Sequence, residues 1–321
     1  MRKLLVAFVA VMAMVAVQAG EKVGVVQINW EHEYQQILKA GFLNTGAKLG
    51  VDVTIEITQM SPERTVRAAE NLIAAGCKAI ICAPGDISSW EAVYQLCEDA
   101  GVYLVNDGSP QEIRPKATPF IGTDSYAAGR KAAEFAAPWI QKNYPDAVTV
   151  AHLTLPLFTD CVARNKGFVE TLTKLLPNTK IKFVDENGSG AREPAMTAME
   201  NLLQGNPEIQ VVFGCNDDSA LGAMSALLGA NKDPNKTLLM GVDGTVASFE
   251  AIQAGGMFQM DAAQLPYTYA EMHMTRAVQL IRGEKKMEEF VAGGHIFMDP
   301  PAVTKDNVAQ YLPDIKRYLG Q

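Results

Sequence analysis

Val23 opens the stretch VGVVQINWEHEYQQILKAGFLNTGAKLGVDVTIEI, which closes at Ile57. Two periods meet in it. Val23 to Ile28 is a short β-branched run, as expected of a strand buried on both faces of a sheet. From His32 to Leu49 the spacing becomes helical: Tyr34, Ile37, Leu38, Gly41, Phe42, Thr45 and Leu49 fall on one stripe, and Gly50 stops it. Val51 to Ile57 is strand-like again. Strand, helix and strand in so few residues predict a parallel pair joined by a crossover helix.

The unit repeats in both directions along the chain. Ser61 and Pro62 open the next helix, as N-cap and first helical residue, and Gly76 ends it. Strand Ala79–Cys82, a helix over 88–100 and strand Val102–Val105 follow. A second series runs through strands at 148–153, 181–185, 211–215 and 237–242, with helices from near Cys161, around 194–203, over 218–228 and over 246–254. The expected fold class is α/β, with two doubly wound parallel-sheet lobes rather than one very wide sheet.

Composition limits what such a chain can do. Apolar residues make up 48% of the 321 and charged residues 20%, which excludes a disordered or collagen-like chain. Lys and Arg number 28 against 36 Asp and Glu, and no basic block occurs, so a nucleic-acid partner is not expected. At the N-terminus, Arg2 and Lys3 precede an apolar run from Leu4 to Val17, and Val17-Gln18-Ala19 offers small residues where a signal peptidase reads. Residues 1–19 are therefore expected to be a signal peptide cleaved after about Ala19, with the mature chain periplasmic. The five cysteines are an odd count with neither zinc nor CxxC spacing, and read best as buried small hydrophobes; a Cys82–Cys97 bridge is the alternative.

In open parallel sheets ligands bind beyond the carboxyl ends of the strands. Asn29, Trp30, Glu31, His32 and Tyr34 follow the first strand. Asn106, Asp107 and Gly108 follow the fourth. Asn216, Asp217 and Asp218 follow the strand at 211–215, and Asp243 and Gly244 the strand at 237–242. Carboxylates, amides and aromatics with few cations suit a neutral polyhydroxylated ligand. Plainer readings stand beside these: Asp217 or Asp218 as a helix N-cap, Asp243 as a turn residue, Tyr34 as core. No phosphate-cradling GxxxxGKS/T loop, GxSxG elbow, HExxH pair or dinucleotide GxGxxG occurs at the places that need them. No enzyme activity, cofactor or metal site is expected.

Five segments in order carry a resemblance. They are Phe120-Ile-Gly-Thr-Asp124-Ser-Tyr-Ala-Ala-Gly129, Arg164-Asn-Lys-Gly167-Phe168, Asn216-Asp217-Asp218-Ser-Ala-Leu-Gly-Ala223, Gly241-Val-Asp243-Gly244 and Ala262-Ala-Gln264-Leu-Pro266. With them the chain resembles the type I periplasmic sugar-binding proteins of ABC importers, of the ribose- and galactose-binding kind, over essentially its whole mature length. The resemblance implies ligand contacts from Asp107, Arg164, Asn216, Asp243 and Gln264, an aromatic platform near Tyr34, and neighbouring contacts from Trp30, His32 and Gln35. It also implies three crossings between lobes, near Thr123, Gln264 and Gly293, so that the first lobe is 20–123 with 265–293 and the second 124–264 with 294–321. The implied partners are a small neutral sugar or polyol and an ABC transporter permease, with a chemoreceptor or sensor kinase as the signalling alternative and a monomeric state. A transcription regulator on the same core would need a DNA-reading helix-turn-helix before the first strand, which residues 1–20 do not supply.

Departures from that pattern bear on the ligand. Asn187-Gly-Ser-Gly190 has no aromatic where a second-lobe ring is expected, which leaves Phe158 or Trp30 to supply one. Gly108 stands where ribose-binding relatives carry a second arginine. These changes count against ribose itself and leave open another pentose, a hexose, a polyol or a furanose-like signal molecule.

Overall fold

The computed structural model describes residues 20–29, 31–83, 87–108, 110 and 113–321. The expected leader and Trp30 lie outside them. The chain begins with β1 (Lys22–Gln27), α1 (Glu33–Leu49), β2 (Asp52–Ile57), α2 (Pro62–Ala74), β3 (Ala79–Cys82), α3 (Ile87–Ala100) and β4 (Tyr103–Asn106). These four strands form a parallel sheet in the order β2-β1-β3-β4. The local signals act where the spacing put them. Gly50 closes α1 in the left-handed region at φ 70°, where a side chain would be strained. The Ser61 hydroxyl accepts the Arg64 N–H at 3.3 Å, one residue before Pro62 opens α2.

After β5 (Ile121–Thr123) come α4 (Ser125–Asn143), β6 (Ala147–Thr154), α5 (Thr159–Leu175), β7 (Lys180–Asn187), α6 (Arg192–Gly205), β8 (Val211–Gly214), α7 (Asp217–Gly229), β9 (Leu238–Val242), α8 (Val246–Ala254) and β10 (Phe258–Ala262). The chain continues through α9 (Pro266–Ile281), α10 (Met287–Gly293), β11 (Ile296–Met298), β12 (Ala302–Thr304) and α11 (Leu312–Tyr318). The second sheet runs β12-β10-β9-β8-β6-β7, parallel except for β12 against β10. β11 and β5 pair with each other, apart from either large sheet.

Each large sheet is covered on both faces. Val23, Val25, Ile81 and Val105 pack with Phe42 of α1 and with Ala270, Met274 and Ala277 of α9, so the chain returns to its first sheet some 160 residues after leaving it. Val26, Ile80 and Leu104 point the other way, onto Leu72 of α2 and Trp90 and Val93 of α3. Strands buried this way need no polar alternation, which is why they read as continuous apolar runs. All five cysteines are buried as free thiols; Cys82 and Cys97 sit in one apolar cluster without a bridge.

One expectation is corrected. The N-cap of α7 is Asn216, not Asp217 or Asp218: its Oδ1 accepts the Ser219 N–H at 3.0 Å. Asp217 is turned inward, where its Oδ2 accepts the Thr245 N–H at 2.9 Å and the Thr245 hydroxyl at 2.7 Å. That use in a neighbouring loop leaves the capping role to the residue before it.

Candidate functional site

The carboxyl ends of the two sheets face one another across a cavity of about 380 Å³. That is room for about a dozen waters at ~30 Å³ each, the bulk of a five- or six-carbon polyol. His32, Tyr34, Gln35, Asp107, Arg164, Asn216, Asp243 and Gln264 all line it. Every expected contact residue among the described ones is thus brought to a single place. Phe158 lines it as well.

Asp107, Arg164 and Gln264 are each held by further polar groups. Asp107 follows β4, receives the Gln27 Nε2–H at 2.9 Å, and lies 3.2 Å from Nε2 of the buried His273 on α9. Arg164 projects from α5, donates to the Cys215 carbonyl at 2.6 Å, and stands 3.7 Å from Asp243. Gln264 donates to Asp243 Oδ1 at 2.6 Å and accepts the Thr123 hydroxyl at 2.8 Å. With its proton spent there, Thr123 accepts from the Tyr269 hydroxyl at 2.7 Å. The end of β5, the residue two past β10 and helix α9 are thereby fixed to one another.

Backbone strain collects at the same spot. Asp243 has φ 147° and Leu265, next to Gln264, has φ 58°, both unusual for residues with side chains. A plain turn would place glycine there. An aspartate kept in that conformation points to a use for its carboxylate.

The electrostatics are those of a dry polar pocket. Burial pushes the Asp243 carboxyl well above its usual range, against the attraction of Arg164. Burial likewise pushes the Tyr34 phenol well up, helped by Tyr269, Asp243 and Asp107, so it stays a neutral ring with a donor. Burial works against the Arg164 charge, but Cys161, Asp243, Asp160 and Cys215 around it outweigh that, and the guanidinium is held cationic. Three buried polar atoms of lining residues have no protein partner: Gln27 Oε1, Gln35 Oε1 and Arg164 Nε. Orphaned groups of this kind cost about 1–3 kcal/mol each unless something polar meets them.

Gln27, Asp160 and Ser189 also line the cavity and were not singled out from the sequence. Gln27 is the last residue of an apolar strand, and only its position at the carboxyl end could have flagged it. Among the described residues no group of His, Cys, Asp and Glu is placed to hold a metal ion.

A second, more open depression of about 770 Å³ lies at the lip. Here the two halves touch through charge. The Glu33 carboxylate of α1 accepts the Val246 and Ala247 N–H groups at 2.8 and 3.3 Å, so it sits on the N-terminus of α8. His32 Nδ1 is 2.7 Å from Asp218, whose other oxygen accepts from Arg192 Nε at 2.7 Å. His32 therefore belongs both to the cavity and to this bridge.

The two doubly wound lobes enclose an inward-facing polar cleft, the architecture of a two-lobed protein that can close on a small molecule. A family profile described as periplasmic binding protein domain matches residues 23–285, and the chain belongs to that family. Such a protein holds a ligand and releases it unchanged; it is not an enzyme. The chain is 28% identical over 250 residues to the ribose import binding protein of Bacillus subtilis (strain 168), covering 77% of each. Its fold is that of an ABC transporter periplasmic solute binding protein from Actinobacillus succinogenes solved with D-allose (TM-score 0.79, 24% identity, 91% of this chain and 100% of that one). It is also that of a solute binding protein from Bacillus halodurans solved with myo-inositol (TM-score 0.76, 22% identity, 92% and 98%).

Proposed function

We propose that this chain is an extracytoplasmic binding protein that captures a sugar or polyol between its lobes and presents it to an ABC transporter permease. The carrying observation is the convergence of Asp107, Arg164, Asn216, Asp243 and Gln264 on one cavity of monosaccharide size. In this reading Asp107 and Asp243 accept pairs of ligand hydroxyls, Arg164 donates to a ring or anomeric oxygen, and Asn216 and Gln264 supply amides. Tyr34 and Phe158 offer the apolar faces that a sugar's C–H side needs. The ribose, D-allose and myo-inositol named for similar proteins are all uncharged and hydroxyl-rich.

The lobes in this proposal are 20–123 with 265–293 and 124–264 with 294–321, a division that the sheet membership of β1–β4 and of β6–β10 with β12 supports. Residues 1–19 direct export and are removed, and the mature monomer works in the periplasm. Closure around the ligand is favoured because only the closed form lets both lobes touch it. A permease, or a chemoreceptor, then recognises the closed surface.

The test is a thermal-shift screen against pentoses, hexoses, polyols and furanoses. A ligand present at about 100 times its Kd adds about 2.7 kcal/mol of stability and raises the melting temperature by several degrees. No shift with any of them would overturn the reading. Closure gives a second expected result. Glu33→Ala removes an anion from the N-terminus of α8, a contact of about 0.5–2 kcal/mol. Stopped-flow should show ligand leaving roughly 2–30 times faster with its selectivity unchanged.

A further inference from the structure

Behind Asp243 lies an acid that ligand binding does not use. Asp261 of β10 is fully buried, and so is Asp217 of α7. Asp217 spends Oδ2 on Thr245, while its Oδ1 and both oxygens of Asp261 have no settled donor. The Ser248 hydroxyl of α8, which also faces Asp261, gives its proton to the Thr245 carbonyl at 3.0 Å. The two carboxyls meet over Gly241. Asp261 is its partner in register across β10 and β9, and Asp217 Oδ1 lies 2.6 Å from where a Gly241 Cβ would stand. After burial itself, Asp217 is the neighbour that most raises the Asp261 carboxyl.

The groups facing Asp261 are therefore Asp217 from α7, Asp243 from the loop after β9 and Ser248 from α8. Neither Asp217 nor Asp261 forms an ion pair with Lys, Arg or His among the described residues. The cation on this side, Arg164, stands 3.7 Å from Asp243. Two adjoining carboxylates in a dry interior cannot both carry charge. A proton between them removes the repulsion and supplies the missing donor.

We propose that Asp261 keeps its proton at neutral pH, donates it to Asp217 Oδ1, and through that bond acts as a positioning residue for Asp243. The chain of contacts is short. Asp217, so held, fixes Thr245 through two hydrogen bonds, and its own N–H reaches Asp243 Oδ2 at 3.4 Å. The turn between carries φ 147° at Asp243 and 80° at Gly244, a shape that persists only if both ends are pinned. Burial, with Asp217 and Asp243 beside it, pushes the Asp261 carboxyl well up. The effect on affinity rests on the ligand reading above; the proton itself does not.

The experiment compares the full chain with Asp261→Asn, whose amide N–H replaces the shared proton, and with Asp261→Ala. Infrared difference spectra of wild type against Asp261→Asn at pH 7 should show a protonated-carboxyl band that the variant lacks. Folding of the wild type takes up a proton that the unfolded chain has released above about pH 4. Its melting temperature should therefore fall relative to Asp261→Asn as pH rises from 5 to 8, by about 2 °C per unit. In calorimetry with D-allose and myo-inositol, Asp261→Asn should bind within about twofold of wild type and Asp261→Ala at least tenfold more weakly. A missing band, parallel melting curves, or a tightly held cation found by metal analysis would overturn the assignment. If the band and the pH slope appear but neither probe nor any screened sugar binds, the proton stands and the ligand reading falls. Should Asp261→Ala not fold, the Asn variant alone decides.

Discussion

Asp243→Ala should weaken ligand binding by roughly 100-fold, about 3 kcal/mol, because a buried ligand hydroxyl pair loses its acceptor. The loss has two parts. The ligand hydroxyls no longer have their acceptor, and Arg164, 3.7 Å away, keeps its charge without the carboxylate beside it. Gln264 also loses the partner its Nε2 reaches at 2.6 Å. Asp243→Asn separates charge from shape. It keeps an oxygen for Gln264 and the size of the side chain, so its loss should be nearer tenfold. Isothermal titration reads both, and thermal melting of the unliganded variants reports any loss of fold. Affinity unchanged in Asp243→Ala would make Asp243 a turn residue and nothing more.

That residue shows how far sequence alone carries. Asp243 before Gly244 reads equally as turn or ligand group from its neighbours; the φ of 147° and the contacts to Gln264 and Arg164, which no short pattern shows, are what support the ligand role in the proposed function. The strands and helices were legible because buried parallel strands and amphipathic helices have different periods, and the helix over 246–254 falls at the residues expected. Residues just past strand ends, such as Asp107 and Asn216, were legible because topology dictates what that position faces. Groups that act at a distance were not. His273 reaches Asp107 across 166 positions, and Glu33 caps a helix 213 positions away. Asp261 sits inside an apolar strand, where nothing local marks it. Pairing on that scale is set by how α9 and α8 pack, and no short pattern encodes it.

Placement of Arg164 depends on two glycines that touch no ligand, and this sets the second large effect. Helices α4 and α5 cross with Gly129 on one and Gly167 on the other. A Cβ at Gly129 would fall inside the van der Waals shell of the Arg164 carbonyl oxygen, and one at Gly167 inside that of the Tyr126 carbonyl oxygen. Both obstacles are backbone, so no side chain can turn aside. The helices must separate. Behind the crossing lie Ala128, Ala132, Ala136, Phe168 and Leu172, all buried and packed in one cluster, and separation opens that cluster to voids. Gly129→Val should therefore cost about 3 kcal/mol or more of stability, and Gly129→Ala somewhat less despite its better helix propensity. Because Arg164 is the residue struck, function should fall further than stability. Moving α5 outward pulls the guanidinium from the Cys215 carbonyl it reaches at 2.6 Å and out of line with Asp243. Gly129→Ala that still folds, with its melting point lowered, should bind at least tenfold more weakly in calorimetry well below that temperature. A variant of native affinity and native melting point would mean the two helices have slack at the crossing, and that Arg164 is held by Cys215 and Asp243 alone.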